Sequence, residues 1–485
     1  MVKSKLSPKK LNPKPPSKEP AKAGPAKKQK KPVAKKPAKK RRKPSAKNFK
    51  FGMELEMFVL DEKGYMSNKA DQLIKRVKET AKNIDIKQEI GKNMVEINSL
   101  PHVDIPNVIE TAMADLETVL YCAEQEHLVL YPFGTYPGTF TPKFNRTKRY
   151  SAIKKIFGKQ RFSLFGRCVG LHCHYTLPWG VFDEKTKEVK ELKNLKNKQS
   201  MVNIYNLFIA MDPAITTFTQ SSPFYQGKRQ GKDARVMIWR GGENIDYSPG
   251  IFTNHPMLGG LPEYKATGSD LTHIIKNRFE VWSGLMAGIN GGADKGVTKR
   301  GSTLDMGWNP VKINSTGTME QRGMDINHPR VIIAIALVIK YIAKLVQENY
   351  TEVVPSDEGI ANPFKFEKNT IYIPPYTHVF YELQKKAAWE GLENDDIYKY
   401  CHGLLKLAKS CMPKNRIPLL EPLDNMLKNR ATVSDEIIQQ AKRMKIDPEK
   451  EMTDGQAAEL ALALSKNLYK EVVMTRQMLQ SVQDK

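Results

Sequence analysis

The chain has 485 residues, a formal net charge of +26, 40% hydrophobic residues and five cysteines. That length supports one large domain or two to three ordinary ones and excludes a small disulfide-stapled scaffold. Cys122, Cys168, Cys173, Cys401 and Cys411 are scattered and form no CxxC pair, which argues against a disulfide framework and for a reducing compartment.

The charge is uneven. Residues 1–47 hold nineteen Lys or Arg against the single acid Glu19, so +18 lies in this segment and +8 in the 438 residues that follow. The segment is rich in Lys, Pro and Ala, offers little apolar surface beyond Leu6 and Leu11, and is predicted to be a disordered basic tail. Lys39-Lys-Arg-Arg-Lys43 and its flanks suit nonspecific, salt-sensitive attachment to nucleic acid or another polyanion. A solubilising extension without a partner is the competing reading, and a nuclear-localisation reading also follows from such a cluster. No aromatic residue precedes Phe49, so base stacking is not expected. The N-terminus has no apolar signal-peptide core. The most apolar run, Val331–Ile339, is followed by Lys340 and Lys344 and is too short to span a bilayer. The expectation is a soluble, cytoplasmic protein without membrane contact.

After the tail, Phe49–Leu60 is predicted as a strand that turns at Asp61-Glu-Lys-Gly64. Leu73, Ile74 and Val77 set a helix over Asp71–Lys82. Ile84–Ile90 and Met94–Ser99 follow as two short strands joined at Gly91-Lys-Asn93. Val108–Leu130 is predicted as one helix, and residues 131–150 as a Pro/Gly/Thr loop. Arg167–Leu177 is a strand, 183–198 an exposed Lys-rich linker, 201–218 a helix and 221–270 irregular. Residues 284–301 are Gly-rich and include Gly291-Gly-Ala-Asp-Lys-Gly296; the 291–301 stretch is weak evidence for a phosphate loop and reads rather as a mobile connection. A strand around Glu320 precedes a helix at 329–349, and most of 378–480 is helical. Helices around a few non-adjacent strands, without strict βαβ alternation, predict an α+β fold with an antiparallel or mixed sheet.

Chemistry concentrates in strand-like segments whose polar side chains recur at every second position: Gly52-Met-Glu54-Leu-Glu56, Val95-Glu96-Ile-Asn98, Gly170-Leu-His172-Cys-His174 and Thr318-Met-Glu320-Gln-Arg322. Residues i and i+2 share one face of a strand. Four such strands in one sheet make one oily face and one polar floor, which is costly to bury unless it holds metal or substrate. Taken singly, a Glu-x-Glu strand is ordinarily a solvated face, and Glu320 and Arg322 a surface ion pair. Glu54, Glu56, Glu89, Glu96, His172 and Glu320 form an oxygen-rich set that suits Mg²⁺ or Mn²⁺ better than Zn²⁺. Arg322, Arg240 and Arg235 are candidate clamps for phosphate or carboxylate. Carboxylates, divalent metal and arginines together suggest nucleotide-dependent phosphoryl transfer, although no Walker-type phosphate loop occurs. Cys173 alternates with the histidines and is expected on the opposite face. Trp239, Trp282, Trp308 and Trp389 read as packing residues.

The motif order resembles glutamate–cysteine ligase family 2, the carboxylate–amine ligase family. Gly52-Met-Glu54-Leu-Glu56 matches its opening strand, Glu89 with Val95-Glu96-Ile-Asn98 its second acidic element, and Gly170-Leu-His172-Cys-His174 its histidine strand. Ser222-Pro-Phe-Tyr-Gln-Gly227, Arg235-Val-Met-Ile-Trp239-Arg240 and Gly317-Thr-Met-Glu320-Gln-Arg322 follow in order. The likeness runs from about 50 to 325 and continues weakly to Ala387-Ala-Trp389-Glu-Gly391. It implies a catalytic domain over 48–485, mostly helical from about 326, of the glutamine synthetase/guanidino kinase type. That is a curved antiparallel sheet with helices on its convex face. It also implies ATP- and Mg²⁺-dependent joining of a carboxylate to an amine through an acyl phosphate. In the name-giving case, glutamate and cysteine form γ-glutamylcysteine, a step of glutathione biosynthesis. By resemblance, Glu54, Glu56, Glu89, Glu96, His172 and Glu320 hold metal. Arg322 neutralises the transferring phosphoryl group, while Arg240, Arg235 and Lys312 serve nucleotide or acidic substrate. The family commonly has Arg soon after the Trp before its final strand; Trp308-Asn-Pro-Val-Lys312 has Val there and Lys one later, which leaves the substrate open. Two alternatives stand beside this: the same chemistry on another amino acid or amine, and an inactive ligase-like domain in a nucleic-acid-associated protein.

Overall fold

The computed structural model describes residues 49–190, 195–290 and 302–483. The predicted tail and the Gly291–Gly296 stretch lie outside the described residues.

The core strand is β1 (Phe51–Asp61), in which Phe51, Met53, Leu55 and Met57 are fully buried while Glu54 and Glu56 alternate with them. The other strands of its sheet are β2 (Asp85–Gln88), β3 (Met94–Asn98), β4 (Leu128–Tyr131), β5 (Gly170–Thr176), β6 (Val311–Asn314) and β7 (Thr318–Asp325). The order is β6-β7-β5-β1-β3-β2, all antiparallel, with β4 also on β1. β5 covers one edge of β1 at Phe51–Leu55, and β4 takes over that edge at Phe58–Asp61. The result is an open antiparallel sheet with helices, as the α+β reading expects.

The helices are α1 (Ala70–Thr80), α2 (Ile105–Gln125), α3 (Lys148–Leu164), α4 (Leu195–Thr219), α5 (Ala234–Arg240), α6 (Gly268–Asn290) and α7 (Pro329–Asn349). Contacts of α2 with β1, α4 with β7 and α7 with β5 place a helical layer on the sheet. The face of Met53, Leu55, Leu171, Cys173, Val95 and Met319 is buried, each such side chain contributing about 1.5–3 kcal/mol. Every residue from Ser200 to Thr219 of α4 is buried, as is the run Val331–Lys340 of α7. These stretches are buried all round because further helices cover them: Asp395–Cys411 packs on α4 and α7, and Leu468–Gln483 on α2 and α7. Among the described residues no helix is long and apolar enough to cross a membrane. The chain beyond 350 is mostly helical, with a small sheet of Glu352–Pro355, Thr370–Ile373 and Phe366–Glu367.

Several expected boundaries change. The helix predicted over 108–130 ends at Gln125, because His127 adopts φ 56° and the chain re-enters the sheet as β4. The predicted loop at 131–150 runs into α3, capped by the Thr147 side chain accepting from the Tyr150 amide and kinked at Gly158, φ 74°. The region expected to be irregular contains α5, capped by Asp233 accepting from the Val236 amide, and the start of α6. Within the Gly-rich stretch, α6 continues through Gly284 and Gly288 to Asn290. Within the predicted linker, Phe182–Asp183 pairs with Glu188–Val189.

Candidate active site

The register of the sheet builds the floor of a cavity. Glu54 of β1 stands opposite His172 of β5 on one side and Asn98 of β3 on the other. Glu56 is opposite Glu96, Glu320 of β7 opposite His174, and Lys312 of β6 opposite Glu320. All of these project to the face away from the apolar layer. A register irregularity between Gln321 and Met324 interrupts strict alternation just where Arg322 lies. Glu89, immediately after β2, completes the set. The cavity above this floor measures about 440 Å³, within the usual range for a small-molecule site.

The six acidic and imidazole positions fall into two trios. The ligand atoms of Glu54, His172 and Glu320 lie within 4.8 Å of one another, and so do those of Glu56, Glu89 and Glu96. His172 joins them: Nδ1 is 2.9 Å from Glu54 Oε2 and Nε2 is 3.6 Å from Glu56 Oε1. His174 Nε2 lies 3.1 Å from Glu54 Oε1. Orienting bonds come from neighbours: the Gly170 amide donates to Glu56 at 2.6 Å, Asn98 to Glu96 at 2.9 Å and Asn314 to Glu320 at 2.8 Å.

The two trios differ electrostatically. Burial opposes the Glu54 charge, yet hydrogen bonds from His172 and His174 outweigh it and hold its pKa far below the usual carboxylate range. Burial likewise opposes Glu320, but Arg322, 3.3 Å away, and His174 bring it down to about 2. Burial followed by the charges of Glu56 and Glu96 pushes Glu89 well up. Burial and the Glu54 charge raise Glu96. Three carboxylates with ligand atoms within 4.8 Å of one another are a crowding that a hard divalent ion relieves, so the donor set fits Mg²⁺ or Mn²⁺. The buried His172 Nε2 has no hydrogen-bond partner among the described atoms, leaving a nitrogen directed at the same region.

Cations and aromatic rings form the walls. Lys312, Arg322 and Arg149 line the cavity. Burial lowers the pKa of Lys312 and Arg149. Arg322 also lies 5.6 Å from the centre of the Trp308 ring. Trp308 stacks on Trp239 with centroids 4.5 Å apart and planes 8° from parallel, and Trp239 stacks on Phe252 at 6.1 Å. Phe157 and Phe165 meet these rings edge-on. Cys173 sits on the opposite, buried face as expected, and burial raises its thiol pKa.

Two predicted clamps are corrected. Arg240 does not line the cavity. Its guanidinium is buried in a two-pronged pair with Asp212 of α4, at 2.6 and 2.9 Å, and donates to Gln384 at 2.6 Å. Arg235 is also buried and directed elsewhere: both terminal nitrogens donate to the Arg322 carbonyl at 3.4 Å, and its guanidinium lies 5.6 Å from the Trp308 ring. Both are spent on protein partners. Conversely, sequence reasoning passed over Arg149 and Tyr150, which reach the cavity from the first turn of the unpredicted helix α3. Thr147 three residues before Tyr150 was the available capping signal. Trp239, Trp282 and Trp308 were read as packing but also line the cavity.

Residues 50–283 match glutamate-cysteine ligase family 2. The chain is 23% identical over 181 residues to a protein of Chromobacterium violaceum provisionally named glutamate–cysteine ligase 2, covering 36% of this chain and 42% of that one. A protein of Herminiimonas arsenicoxydans with the same provisional name is 22% identical over 181 residues, covering 36% and 43%. The chain thus spans a little over two fifths of the length of these curated relatives. Among solved structures, the glutamate–cysteine ligase of Francisella tularensis in complex with AMP aligns with a TM-score of 0.55 at 12% identity, over 90% of this chain and 93% of that one. A bifunctional glutathione synthetase from Pasteurella multocida aligns with a TM-score of 0.52 at 11% identity, over 87% and 53%. At these identities the structures establish a shared fold. The resemblance to glutamate–cysteine ligase family 2 is therefore shown by sequence over residues 50–283.

Proposed function

We propose that this chain is an ATP- and Mg²⁺-dependent carboxylate–amine ligase. The observation that carries the reading is the convergence of two acidic trios with Arg322 and Lys312 in one cavity. Glu54, His172 and Glu320 would hold one cation, and Glu56, Glu89 and Glu96 a second. Bound magnesium supplies charge neutralisation that lets a substrate carboxylate approach nucleotide phosphate. Arg322, held by Glu320 and Trp308, offers a guanidinium to the phosphoryl group in transfer, and Lys312 a second positive charge beside it.

The carboxylate oxygen attacks the terminal phosphorus of ATP, its bond to the bridging oxygen breaks, and ADP leaves. The acyl phosphate is then attacked by an amine, which loses a proton as inorganic phosphate departs and the C–N bond forms. The likeness in fold to an enzyme solved with AMP supports ATP as the nucleotide. Glutamate with cysteine is the first pair to test, giving γ-glutamylcysteine through γ-glutamyl phosphate.

The test is ADP release by the full chain with Mg²⁺, ATP, glutamate and a panel of amino acids and amines, with product masses. Amine-dependent ADP release and a product equal in mass to acid plus amine minus water are expected. No turnover with any pair, together with no Mg²⁺·ATP binding, would remove the ligase reading.

A further inference from the structure

We propose that the outer surface of α3 and the loop before it dock an acidic polypeptide, holding it beside the wall of the cavity. The choice of a polypeptide draws on the ligase reading. Between His127 and Phe182 the sequence has nine Lys or Arg and no Asp or Glu. Six of these bases, Lys143, Arg146, Lys148, Lys154, Lys155 and Lys159, are exposed. Among the described residues none of the six forms an ion pair, whereas lysines of other helices do: Lys75 with Glu79, Lys344 with Glu348 and Lys386 with Asp396. The patch is therefore a surface of one sign without counter-charge.

Helix α3 has two faces with different tasks. Arg149, Tyr150, Ile153 and Phe157 line the cavity, while Lys148, Lys154 and Lys155 face solvent. Lys148 and Lys155 are two turns apart, so they share a face and stand ~10 Å apart along the axis. Lys159 follows the kink at Gly158, where an added Cβ would meet no atom within 4 Å. The surface is open, its like charges repel one another, and a polyanion laid along it is the complement that removes the repulsion. Two observations favour a polypeptide over nucleic acid. No exposed aromatic residue lies between Lys143 and Lys159, so the surface offers no platform for bases. The reaction proposed for the cavity also consumes a carboxylate, which an acidic polypeptide supplies and a nucleic-acid backbone does not. The docked segment and the cavity are separated by one helix, ~10 Å thick, a distance that a few extended residues span.

The test uses the full chain, with labelled deca-glutamate as the probe, deca-lysine as the opposite charge and a short DNA duplex as the nucleic-acid arm. Hydrogen–deuterium exchange localises each. Deca-glutamate is expected to slow exchange of the 148–161 amides at least about threefold, and deca-lysine to leave it unchanged. Reversing Lys154→Glu, Lys155→Glu and Lys159→Glu together is expected to weaken deca-glutamate binding at least about tenfold by fluorescence anisotropy at physiological salt. The same reversal at Lys399, Lys406 and Lys428, exposed on the helices Asp395–Cys411 and Glu421–Asn429, is expected to weaken it less than about threefold. Unchanged exchange over 148–161 while deca-glutamate binds elsewhere on the chain overturns the proposal, as does an equal loss in both triple variants. Protection of α3 by the duplex and not by the peptide gives the surface to nucleic acid and also overturns it. If circular dichroism shows the α3 variant unfolded, exchange in the unmodified chain decides. Parallel ADP assays separate the two claims. Protection of α3 by deca-glutamate without ADP release from any substrate pair keeps this surface and removes the ligase reading. ADP release with free amino acids and no protection of α3 does the reverse.

Discussion

One imidazole connects the two acidic trios: His172 Nδ1 is 2.9 Å from Glu54 and its Nε2 is 3.6 Å from Glu56. Glu54 and Glu56 are neighbours on one face of β1, so the ring on the adjacent strand β5 reaches both. The polar floor is one electrostatic unit, and its members are expected to respond together.

Glu320→Ala removes a ligand of the first trio and the partner of Arg322. Its side chain is polar and faces the cavity, so the sheet register should survive. Turnover is expected to fall by at least about a hundredfold, with unchanged far-ultraviolet circular dichroism. Turnover above a tenth of the original value contradicts the role given to Glu320.

Stability should depend on pH and cation in a linked way. Glu89 and Glu96 have folded pKa values above the usual 4.5. The folded chain therefore retains protons that the unfolded chain has released, and with these two groups stability falls as pH rises above about 4.5. A cation bound at the second trio offsets that loss. Added Mg²⁺ is expected to raise the melting temperature, by more at pH 8 than at pH 5, and Glu89→Gln to shrink that difference. A Mg²⁺ effect independent of pH goes against the second trio as a cation site.

Arg240→Ala tests the correction to the predicted clamps. The change leaves Asp212 buried without its cation, which costs on the order of 3–5 kcal/mol. Urea unfolding should show a loss of that size. The Michaelis constant for ATP in the remaining folded fraction should change by less than about threefold. A large rise in that constant with unchanged stability would return Arg240 to the site.

Arg235→Lys keeps a positive charge but loses the fork that holds the Arg322 carbonyl. Turnover is expected to fall by about ten- to a hundredfold, with the loss in kcat rather than in the Michaelis constant for ATP. Unchanged kcat removes the positioning role.

Deleting residues 1–47 takes away a formal charge of +18. Turnover is expected to be unaffected, while binding to duplex DNA at low salt disappears together with its steep salt dependence. Loss of turnover would show that this segment takes part in the catalytic unit.

The floor was readable because strand alternation is a short-range rule. Glu54, Glu56, Glu96, His172 and Glu320 announce their face through their immediate neighbours, and the motif order brought Glu89 into the same set. Other parts depended on tertiary choices. An arginine in a strand or helix carries no local mark of where its guanidinium ends. Arg240 found Asp212, twenty-eight residues earlier in sequence, whereas Arg149 reached the cavity. β4 was hidden at the end of a helix-like run, since Leu128–Tyr131 is apolar in either conformation and only the His127 turn separates them. The tryptophans were ambiguous because their rings pack against one another and line the cavity as well.

The arrangement on β1 has a metric consequence. Because Glu54 and Glu56 are successive same-side residues of one extended strand, their Cα atoms are spaced by two pleat steps, roughly 6.5 Å. That pitch is a property of the peptide backbone and does not depend on any loop. Surface insertions, changes to α3 and exchange of the aromatic rings can all remodel what enters the cavity without altering this ruler. The spacing of the two acidic trios and the choice of guest are therefore mechanically separable, and a chain built this way can change what enters the cavity while its carboxylate floor stays put.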